Sequence, residues 1–280
     1  MRFDTVAIVG VGLIGGSIGL ALRRRRLARR VVGIGRRRSS LAEARRRGAL
    51  DSTSLELRRG VADAELTVFC TPVGLIADQA IEAADYCPAA ALLTDAGSTK
   101  RVIVERLEGK LSNGVTFVGS HPLAGSEKRG PGEARADLFD GRICVVTRTE
   151  RTPTGALNRV RAFWRSLGAK VVVMDPVEHD RALAYTSHLP HLAAAALCST
   201  LPHDCEELTA SGFRDATRIA AGEPSLWTGI FLQNRESVLT ALSKYQTELD
   251  RFARAVDAAD ESALTKLLEG AKLRRDALGS

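Results

Sequence analysis

The stretch that decides the fold reads Val6-Ala7-Ile8-Val9-Gly10-Val11-Gly12-Leu13-Ile14-Gly15-Gly16-Ser17. Its β-branched start predicts a buried strand, and the residues after the glycines predict a helix. The glycines have the G-x-G-x-x-G spacing of a dinucleotide site: the first permits a tight turn, the second lets backbone approach a pyrophosphate, and the third allows close packing of helix on strand. The helix N-terminus attracts the negative charge. The residues expected to contact the dinucleotide are Gly10, Gly12, Leu13, Ile14 and Gly15.

Strand-like and helix-like segments alternate through the first 174 residues. The β-branched runs lie at residues 6–9, 31–34, 66–70, 92–95, 116–118, 143–146 and 171–174. The helix-like stretches between the early runs lie at residues 13–25, 41–47, 75–84 and 100–107. Parallel strands need crossover helices that cover both faces of the sheet. The order therefore predicts an α/β fold, with a Rossmann-type doubly wound parallel sheet over residues 1–174.

The second part of the chain, residues 175–280, has a different character. It contains no β-rich run, and its Ala- and Leu-rich stretches are interrupted at Pro202 and near Pro224. Apolar residues recur there at helical spacing, as in Leu239, Leu242, Tyr245, Leu249, Phe252, Ala253 and Val256. These features predict an all-α domain with more apolar face than one chain covers. We therefore expect a homodimer formed through this helical dimerisation domain.

Composition limits the classes of function. The net charge is +7 and arginines crowd the first 60 residues, but no aromatic residues interleave with them to stack bases, so we expect no nucleic-acid partner. No apolar run approaches the ~20 residues that span a bilayer, and the N-terminus lacks the regions of a signal peptide, so we expect no membrane partner and a cytoplasmic location. The five cysteines lack C-x-x-C spacing and are expected to be reduced packing residues.

The end of the second predicted strand indicates which dinucleotide is bound. An NAD site normally carries an acidic residue there, which binds the ribose 2′-hydroxyl. Here the sequence reads Gly33-Ile34-Gly35-Arg36-Arg37-Arg38, so a glycine replaces the acid and Arg36 supplies donors for a 2′-phosphate. We therefore expect NADP to be preferred, with NAD as the second option. The alternative is that the three arginines form only a solvated loop.

Loops at the carboxyl ends of later strands are expected to complete the crevice. Thr71, Pro72 and Val73 follow one strand and should contact the cofactor through their backbone; Gly97 follows the next. A dehydrogenase that oxidises a carbinol needs a group that accepts the hydroxyl proton, and histidine, with a pKa of about 6.5, suits neutral operation.

The candidate proton acceptor is His121, which follows the strand at 116–118. Ser98 lies in the segment after the preceding strand, at the same edge of the predicted sheet. A serine hydroxyl both donates and accepts hydrogen bonds. We therefore expect Ser98 to orient His121 through a hydrogen bond, and both residues to face the nicotinamide.

Five motifs make the sequence resemble the prephenate and arogenate dehydrogenase family of tyrosine biosynthesis. They are the glycine fingerprint, Asp95-Ala96-Gly97-Ser98-Thr99-Lys100, His121-Pro122-Leu123-Ala124-Gly125-Ser126-Glu127, Ser187-His188-Leu189-Pro190-His191 and Gly212-Phe213-Arg214-Asp215-Ala216-Thr217-Arg218-Ile219-Ala220. In this order they cover nearly the whole chain and are far more specific than the fingerprint alone. The resemblance implies oxidative decarboxylation of prephenate to 4-hydroxyphenylpyruvate, or of arogenate to tyrosine, with hydride transfer to NAD(P).

The resemblance also implies roles for individual residues. His121 would deprotonate the ring hydroxyl, Ser98 would assist it, and Arg218 would clamp a substrate carboxylate. The residues implied to line the pocket are His188, Gly125, Ser126, Glu127 and Trp227. The alternative for Arg218 is an ion pair with Asp215, three residues earlier on the same helical face. Prephenate and arogenate differ only in a keto or amino group, and the sequence does not distinguish them.

Two rival functions make different predictions. Another β-hydroxyacid-type dehydrogenase would carry a catalytic lysine on the first helix of the second domain, but residues 177–197 contain no lysine. A non-catalytic NADP-binding sensor would lack polar catalytic groups, whereas Ser98, His121 and Arg218 are present. Both rivals are therefore less favoured. We also expect no appended regulatory domain, so that tyrosine, if it inhibits, would act at the active site.

Three histidines close in sequence raise the question of a metal site. His188 and His191 lie three residues apart, with Pro190 between them and His179 nearby. No carboxylate or cysteine cluster completes a zinc-type ligand set. We therefore expect no metal, and we expect His179 and His191 to be structural.

Overall fold

The computed structural model describes residues 2–125 and 128–279. Its strands are β1 (Phe3–Val9), β2 (Ala28–Ile34), β3 (Ser52–Ser54), β4 (Leu66–Phe69), β5 (Leu92–Asp95), β6 (Thr116–Val118), β7 (Ser120–Pro122), β8 (Ile143–Thr147) and β9 (Lys170–Met174). Its α-helices are α1 (Leu13–Arg24), α2 (Arg38–Arg46), α3 (Leu57–Val61), α4 (Val73–Ala84), α5 (Arg101–Leu107), α6 (Thr154–Ser166), α7 (Pro176–Leu183), α8 (Leu189–Ser199), α9 (Ser211–Thr217), α10 (Pro224–Gln233), α11 (Arg235–Asp257) and α12 (Glu261–Ala277).

Six strands form a parallel sheet in the order β3-β2-β1-β4-β5-β6. β1 lies inside the sheet, with Val6 opposite Val31 of β2 on one side and opposite Leu66 of β4 on the other. The strand order reverses between β1 and β4, and ligands of such sheets bind outside the carboxyl ends of the strands at this point. The expected Rossmann-type fold is confirmed, and its crevice lies beside the glycine turn that follows β1.

A second, three-stranded sheet has the order β7-β8-β9, which the sequence did not indicate. β7 is antiparallel to β8, and β9 is parallel to it. The runs predicted at 143–146 and 171–174 form β8 and β9 of this sheet and do not extend the first one. β7 has only three residues, too few for an alternating pattern to be recognised. It carries His121 at its centre, so the second sheet holds the predicted base.

Both faces of the six-stranded sheet are covered. Alternate residues of β1 point to opposite faces, so Val6 and Ile8 belong to one apolar cluster while Ala7 and Val9 belong to the other. Trp164 of α6 is fully buried in the first cluster. Because burying one large apolar side chain contributes about 1.5–3 kcal/mol, these clusters hold the strand ends that form the crevice in fixed positions.

Beyond β9 the described chain is helical, as expected. α7 begins after Asp175, whose Oδ1 accepts a hydrogen bond from the Val177 N–H at 2.7 Å. Pro176 occupies the first turn, where its missing N–H costs nothing. The chain divides into two compact units, one ending at Asn234 and the other beginning at Arg235. The domain boundary expected near residue 174 stays a prediction.

The second unit consists of α11 and α12, which pack against each other. Asp260 caps the start of α12, because its Oδ1 accepts a hydrogen bond from the Ala263 N–H at 2.9 Å. α11 leaves Leu239, Leu249 and Val256 largely exposed in the single chain. Within residues 2–125 and 128–279, no helix combines the length and apolar character needed to cross a membrane.

Candidate active site

The glycine turn after β1 fits a dinucleotide diphosphate. Gly10 has a φ of +92°, and a Cβ placed on it would lie 2.7 Å from the Cys70 carbonyl oxygen. A Cβ on Gly15 would lie 2.3 Å from the Gly10 carbonyl oxygen, so neither position accepts a side chain. Around Gly12, in contrast, a Cβ would meet nothing within 4 Å. The first turn of α1 carries no acidic residue, so its N–H groups are available to an anion.

The other expected cofactor residues lie at the same edge of the sheet. Gly10 packs against the chain at Cys70 and Thr71, and a Cβ on Gly97 would lie 3.3 Å from Val73. Pro72 precedes Val73 at the start of α4. The structure therefore brings the predicted segments after β1, β4 and β5 together.

The end of β2 also lies beside this turn. The Gly10 N–H donates to the Ile34 carbonyl oxygen at 2.8 Å, so Gly35 and the exposed Arg36 directly follow a residue that touches the fingerprint. A Cβ on Gly35 would lie 3.4 Å from Leu41, an ordinary van der Waals contact. Position 35 therefore has space for a side chain, although this chain has glycine there.

Asp95, at the end of β5, anchors the loop between the two sheets. Its side chain is fully buried and forms an ion pair with the equally buried Lys100. Asp95 Oδ2 accepts a hydrogen bond from the Gly97 N–H at 2.9 Å, and Oδ1 accepts one from the Ser120 N–H at 2.9 Å. Trp164 Nε1 donates to Ser120 Oγ at 2.8 Å. One carboxylate thus connects the cofactor loop to the strand that carries the predicted base.

His121 is connected to Asp180 of α7 through a hydrogen bond to His179. Its Nδ1 lies 2.9 Å from Nε2 of His179, and Nδ1 of His179 lies 2.7 Å from Oδ1 of Asp180. Asp180 also accepts hydrogen bonds from the backbone N–H groups of Lys100, at 2.7 Å, and Arg101, at 3.0 Å. Because a carboxylate only accepts, His179 carries its proton on Nδ1 and accepts at Nε2. His121 therefore donates from Nδ1, which leaves the lone pair on its Nε2.

Both of these histidines are held neutral. The pKa of His121 is well below its usual value, chiefly because of burial and further because of His179, Lys100 and His188. Burial also lowers the pKa of His179, with Asp180 opposing the effect. A neutral imidazole with a free lone pair is the form that accepts a proton.

His188 has the opposite arrangement of donor and acceptor. Asn234 Nδ2 donates to the Asp180 carbonyl oxygen at 2.6 Å, which fixes the orientation of the amide. The same nitrogen lies 3.1 Å from Nδ1 of His188, so that ring nitrogen accepts and Nε2 carries the proton. Nε2 of His188 is buried and has no hydrogen-bond partner within the described ranges. Burial lowers the pKa of His188 to about 4, so the ring is a neutral donor.

His188 ends a π turn, Ala184–His188, which directly precedes α8. Wide turns of this kind occur often at functional sites. On α8, His191 stacks on Trp227 of α10, with ring centroids 3.6 Å apart and planes 13° apart. A Cβ on Gly222 would touch both rings, so this glycine is required by close packing. His191, expected to be only structural, therefore shares an aromatic surface with the predicted pocket residue Trp227.

The described hydrogen bonds around His121 do not include the remaining predicted site residues. Arg218 begins an exposed 3-10 turn, Arg218–Ala221, that packs against α8. Gly125 has a φ of +148°, and a Cβ on it would lie 3.9 Å from Ile14 after the fingerprint. Ser126 and Glu127 lie outside the described residues. The half-buried Ser98 makes no hydrogen bond to His121 in the described part of the chain, and Nδ1 of His121 is bonded to His179.

The sequence interpretation missed three site residues: Asp180, Asn234 and the role of His179. Their sequence signal was weak, since His179 and Asp180 sit inside an ordinary amphipathic helix. A buried charged residue one position from a histidine on the core face was the available clue. Within residues 2–125 and 128–279, no group of three or more His, Cys, Asp or Glu side chains is placed to hold a metal ion.

Two family models match this chain. The model described as "Prephenate dehydrogenase, nucleotide-binding domain" matches residues 18–173. The model described as "Prephenate dehydrogenase, dimerization domain" matches residues 175–270. The two matches leave only short segments at either end uncovered.

Individual relatives cover nearly all of the chain as well. The prephenate dehydrogenase of Bacillus subtilis is 32% identical over 285 residues, 98% of this chain and 76% of the relative. The cyclohexadienyl dehydrogenase of Zymomonas mobilis is 31% identical, over 99% of this chain and 96% of the relative. The solved prephenate dehydrogenase from A. aeolicus, in complex with hydroxyphenyl propionate and NAD+, superposes with a TM-score of 0.93 at 31% identity, over 99% of both chains. This chain therefore belongs to the prephenate dehydrogenase family.

Proposed function

We propose that this chain catalyses the oxidative decarboxylation of prephenate or arogenate, with His121 as the general base. The observation that carries the proposal is the hydrogen-bond arrangement that leaves a lone pair on Nε2 of a neutral His121. The base lies on the strand that Asp95 connects to Gly97 of the cofactor loop. The relatives' names, prephenate and cyclohexadienyl dehydrogenase, support the same reaction.

In the proposed reaction, His121 Nε2 accepts the proton of the ring hydroxyl as the carbinol carbon is oxidised. A nicotinamide cofactor held at the glycine turn after β1 would supply the acceptor for the hydride from that carbon. The bond between the ring and its carboxylate then breaks, carbon dioxide leaves, and the electron pair stays in the ring, which becomes aromatic. His121 returns its proton to the resulting phenolate oxygen. Since Nδ1 of His121 is already bonded, Ser98 is proposed to assist at the substrate hydroxyl.

Substrate recognition is proposed to use Arg218 and His188. A guanidinium binds a carboxylate through two parallel hydrogen bonds, which fixes position as well as charge. The Nε2–H of His188, which has no partner among residues 2–125 and 128–279, is a buried donor suited to a substrate oxygen. Trp227 and His191 supply a flat apolar wall for a six-membered ring. The rates measured with prephenate, the keto acid, and with arogenate, the amino acid, determine which of the two is preferred.

The function is tested by initial rates of reduced-cofactor formation, measured by absorbance. Purified protein is given each pairing of prephenate or arogenate with NADP or NAD. We expect turnover of at least one of the two acids, with higher kcat/KM for NADP than for NAD. Absence of turnover in all four pairings would contradict the dehydrogenase assignment and favour the sensor.

We propose that NADP is preferred because Gly35 stands where an NAD site carries an acid and Arg36 follows it. The A. aeolicus relative was solved with NAD+, so the preference needs a direct test. Gly35→Asp is expected to shift the ratio of kcat/KM for NADP over NAD about 10- to 100-fold towards NAD. The reason is that a charge-assisted hydrogen bond contributes about 1.5–3 kcal/mol and each 1.4 kcal/mol is tenfold.

The matched control for this variant is Gly155→Asp on α6. It adds the same charge at a glycine whose Cβ would meet nothing within 4 Å. Its cofactor ratio is expected to equal that of the wild type. An unchanged ratio in Gly35→Asp would show that the end of β2 does not select the cofactor, and that Arg36 belongs to a solvated loop.

We also propose that the chain is a homodimer formed through its helical domain. α11 exposes Leu239 and Leu249, each about half accessible at 50% and 48%, and Val256 at 63%. Leu268 and Leu273 of α12 are exposed as well, at 56% and 70%. Large apolar side chains left exposed along both helices favour an association site. The family model that matches residues 175–270 is described as a dimerization domain.

A further inference from the structure

We propose that His179 and Asp180 are positioning residues that fix the tautomer of His121. The proposal rests on the proposed role of His121 as general base. It goes beyond that role because it assigns a function to two residues of α7 that act through His121. The carboxylate of Asp180 sets the proton position on His179, and His179 sets the proton position on His121.

The first step is the orientation of Asp180. Its Oδ1 accepts from the Lys100 N–H and from His179, and its Oδ2 accepts from the Arg101 N–H. The two backbone donors belong to the start of α5, so the carboxylate cannot rotate without losing bonds that are buried. A fixed acceptor 2.7 Å from Nδ1 of His179 requires a proton on that nitrogen.

The second step excludes the opposite arrangement. A proton on Nε2 of His179 would place the lone pair of its Nδ1 against the Asp180 carboxylate. His179 is 0% exposed and Asp180 is 2% exposed, so no water relieves that repulsion. Nε2 of His179 is therefore an acceptor, and Nδ1 of His121, 2.9 Å away, must donate to it.

The third step concerns the reaction. When His121 takes up the hydroxyl proton, its Nδ1–H becomes a charge-assisted donor to His179, which is in turn polarised by Asp180. The pair thus holds the lone pair of Nε2 in place before proton transfer and stabilises the imidazolium afterwards. An effect confined to charge development should change kcat more than KM.

The test compares His179→Leu with His179→Gln. Leucine removes the acceptor for His121, and kcat is expected to fall about tenfold to a hundredfold, with substrate KM changed less than about threefold. Glutamine reaches the position of Nε2 with an amide oxygen that accepts the bond, so it is expected to recover most of kcat. His203→Leu, which changes an exposed histidine, is the matched control and should keep wild-type kcat. Equal kcat values for the leucine and glutamine variants would overturn the proposal.

A second measurement needs no folded variant at position 179 and no activity. The chain has five histidines, so nitrogen-15 labelling of histidine gives a small set of ring signals. The His121 signals are identified by their loss in His121→Asn. In the wild type we expect a protonated Nδ1 and an unprotonated Nε2 for His121. The reverse pattern would overturn the proposal, whereas absence of turnover with this pattern intact would contradict only the proposed function.

Discussion

Replacing His121 with asparagine is expected to lower kcat by about a thousandfold, within the 10²- to 10⁴-fold range of general-base catalysis. Asparagine keeps a polar group near the position of Nδ1, so the bond to His179 can be retained. It has no group that accepts a proton at neutral pH. Steady-state rates with the preferred acid and cofactor measure the effect.

Cofactor affinity provides the control for this variant. The Kd for the dinucleotide, measured by fluorescence, is expected to stay close to the wild-type value, because the fingerprint glycines lie in the turn after β1 and in the first turn of α1, whereas His121 lies on β7. A variant that kept more than about a tenth of wild-type kcat would show that another group accepts the hydroxyl proton.

Asp95→Ala is expected to lower the free energy of unfolding by about 3–5 kcal/mol. The substitution leaves the buried ammonium of Lys100 without its counter-charge. It also removes the acceptor for the N–H groups of Gly97 and Ser120. Since native domains are stable by only about 5–15 kcal/mol, the loss is large. Denaturant titration followed by circular dichroism measures it.

The double variant Asp95→Ala/Lys100→Met separates the two causes. Methionine removes the unpaired charge at similar length, so the double variant is expected to be more stable than Asp95→Ala alone. Asp78→Ala, which breaks an exposed ion pair with Arg106, is the surface control and should change stability by less than about 1 kcal/mol. If the single and double variants were equally stable, the buried charge would not be the cause.

Local patterns in the sequence predicted the fold and the cofactor side of the candidate site. The fingerprint determines the turn after β1 because only glycine tolerates the φ of Gly10 and the close approach at Gly15. β-branched runs predicted seven of the nine strands of the described chain within a few residues, and β4 to the nearest residue at its start. Ser52–Ser54 and Ser120–Pro122 gave no signal, because three residues are too few to show a period.

The hydrogen bonds around His121 and His188 depend on contacts between residues that are far apart in the sequence. His121 and His179 are 58 residues apart, and Asn234 is 46 residues from His188. Neither pair has a local pattern, so a single sequence gives no means of joining them. The expectation that Ser98 orients His121 through a hydrogen bond failed to anticipate His179 for the same reason. His179 and Asp180 are adjacent in the sequence, but this spacing indicates a function only when their partner, His121, is known.

Burial holds the pKa of His121 well below its usual value, and the charge balance of the buried groups around it offsets part of the cost of proton uptake. The pair of Asp95 and Lys100 is neutral as a unit, and the two neutral histidines add nothing, so the Asp180 carboxylate leaves this interior with one negative charge. A proton on His121 cancels that charge. Low-dielectric interiors resist net charge, so the transfer moves the protein towards electroneutrality instead of away from it. The fold therefore places a counter-charge for the protonated His121 in advance on α7, two hydrogen bonds away through His179.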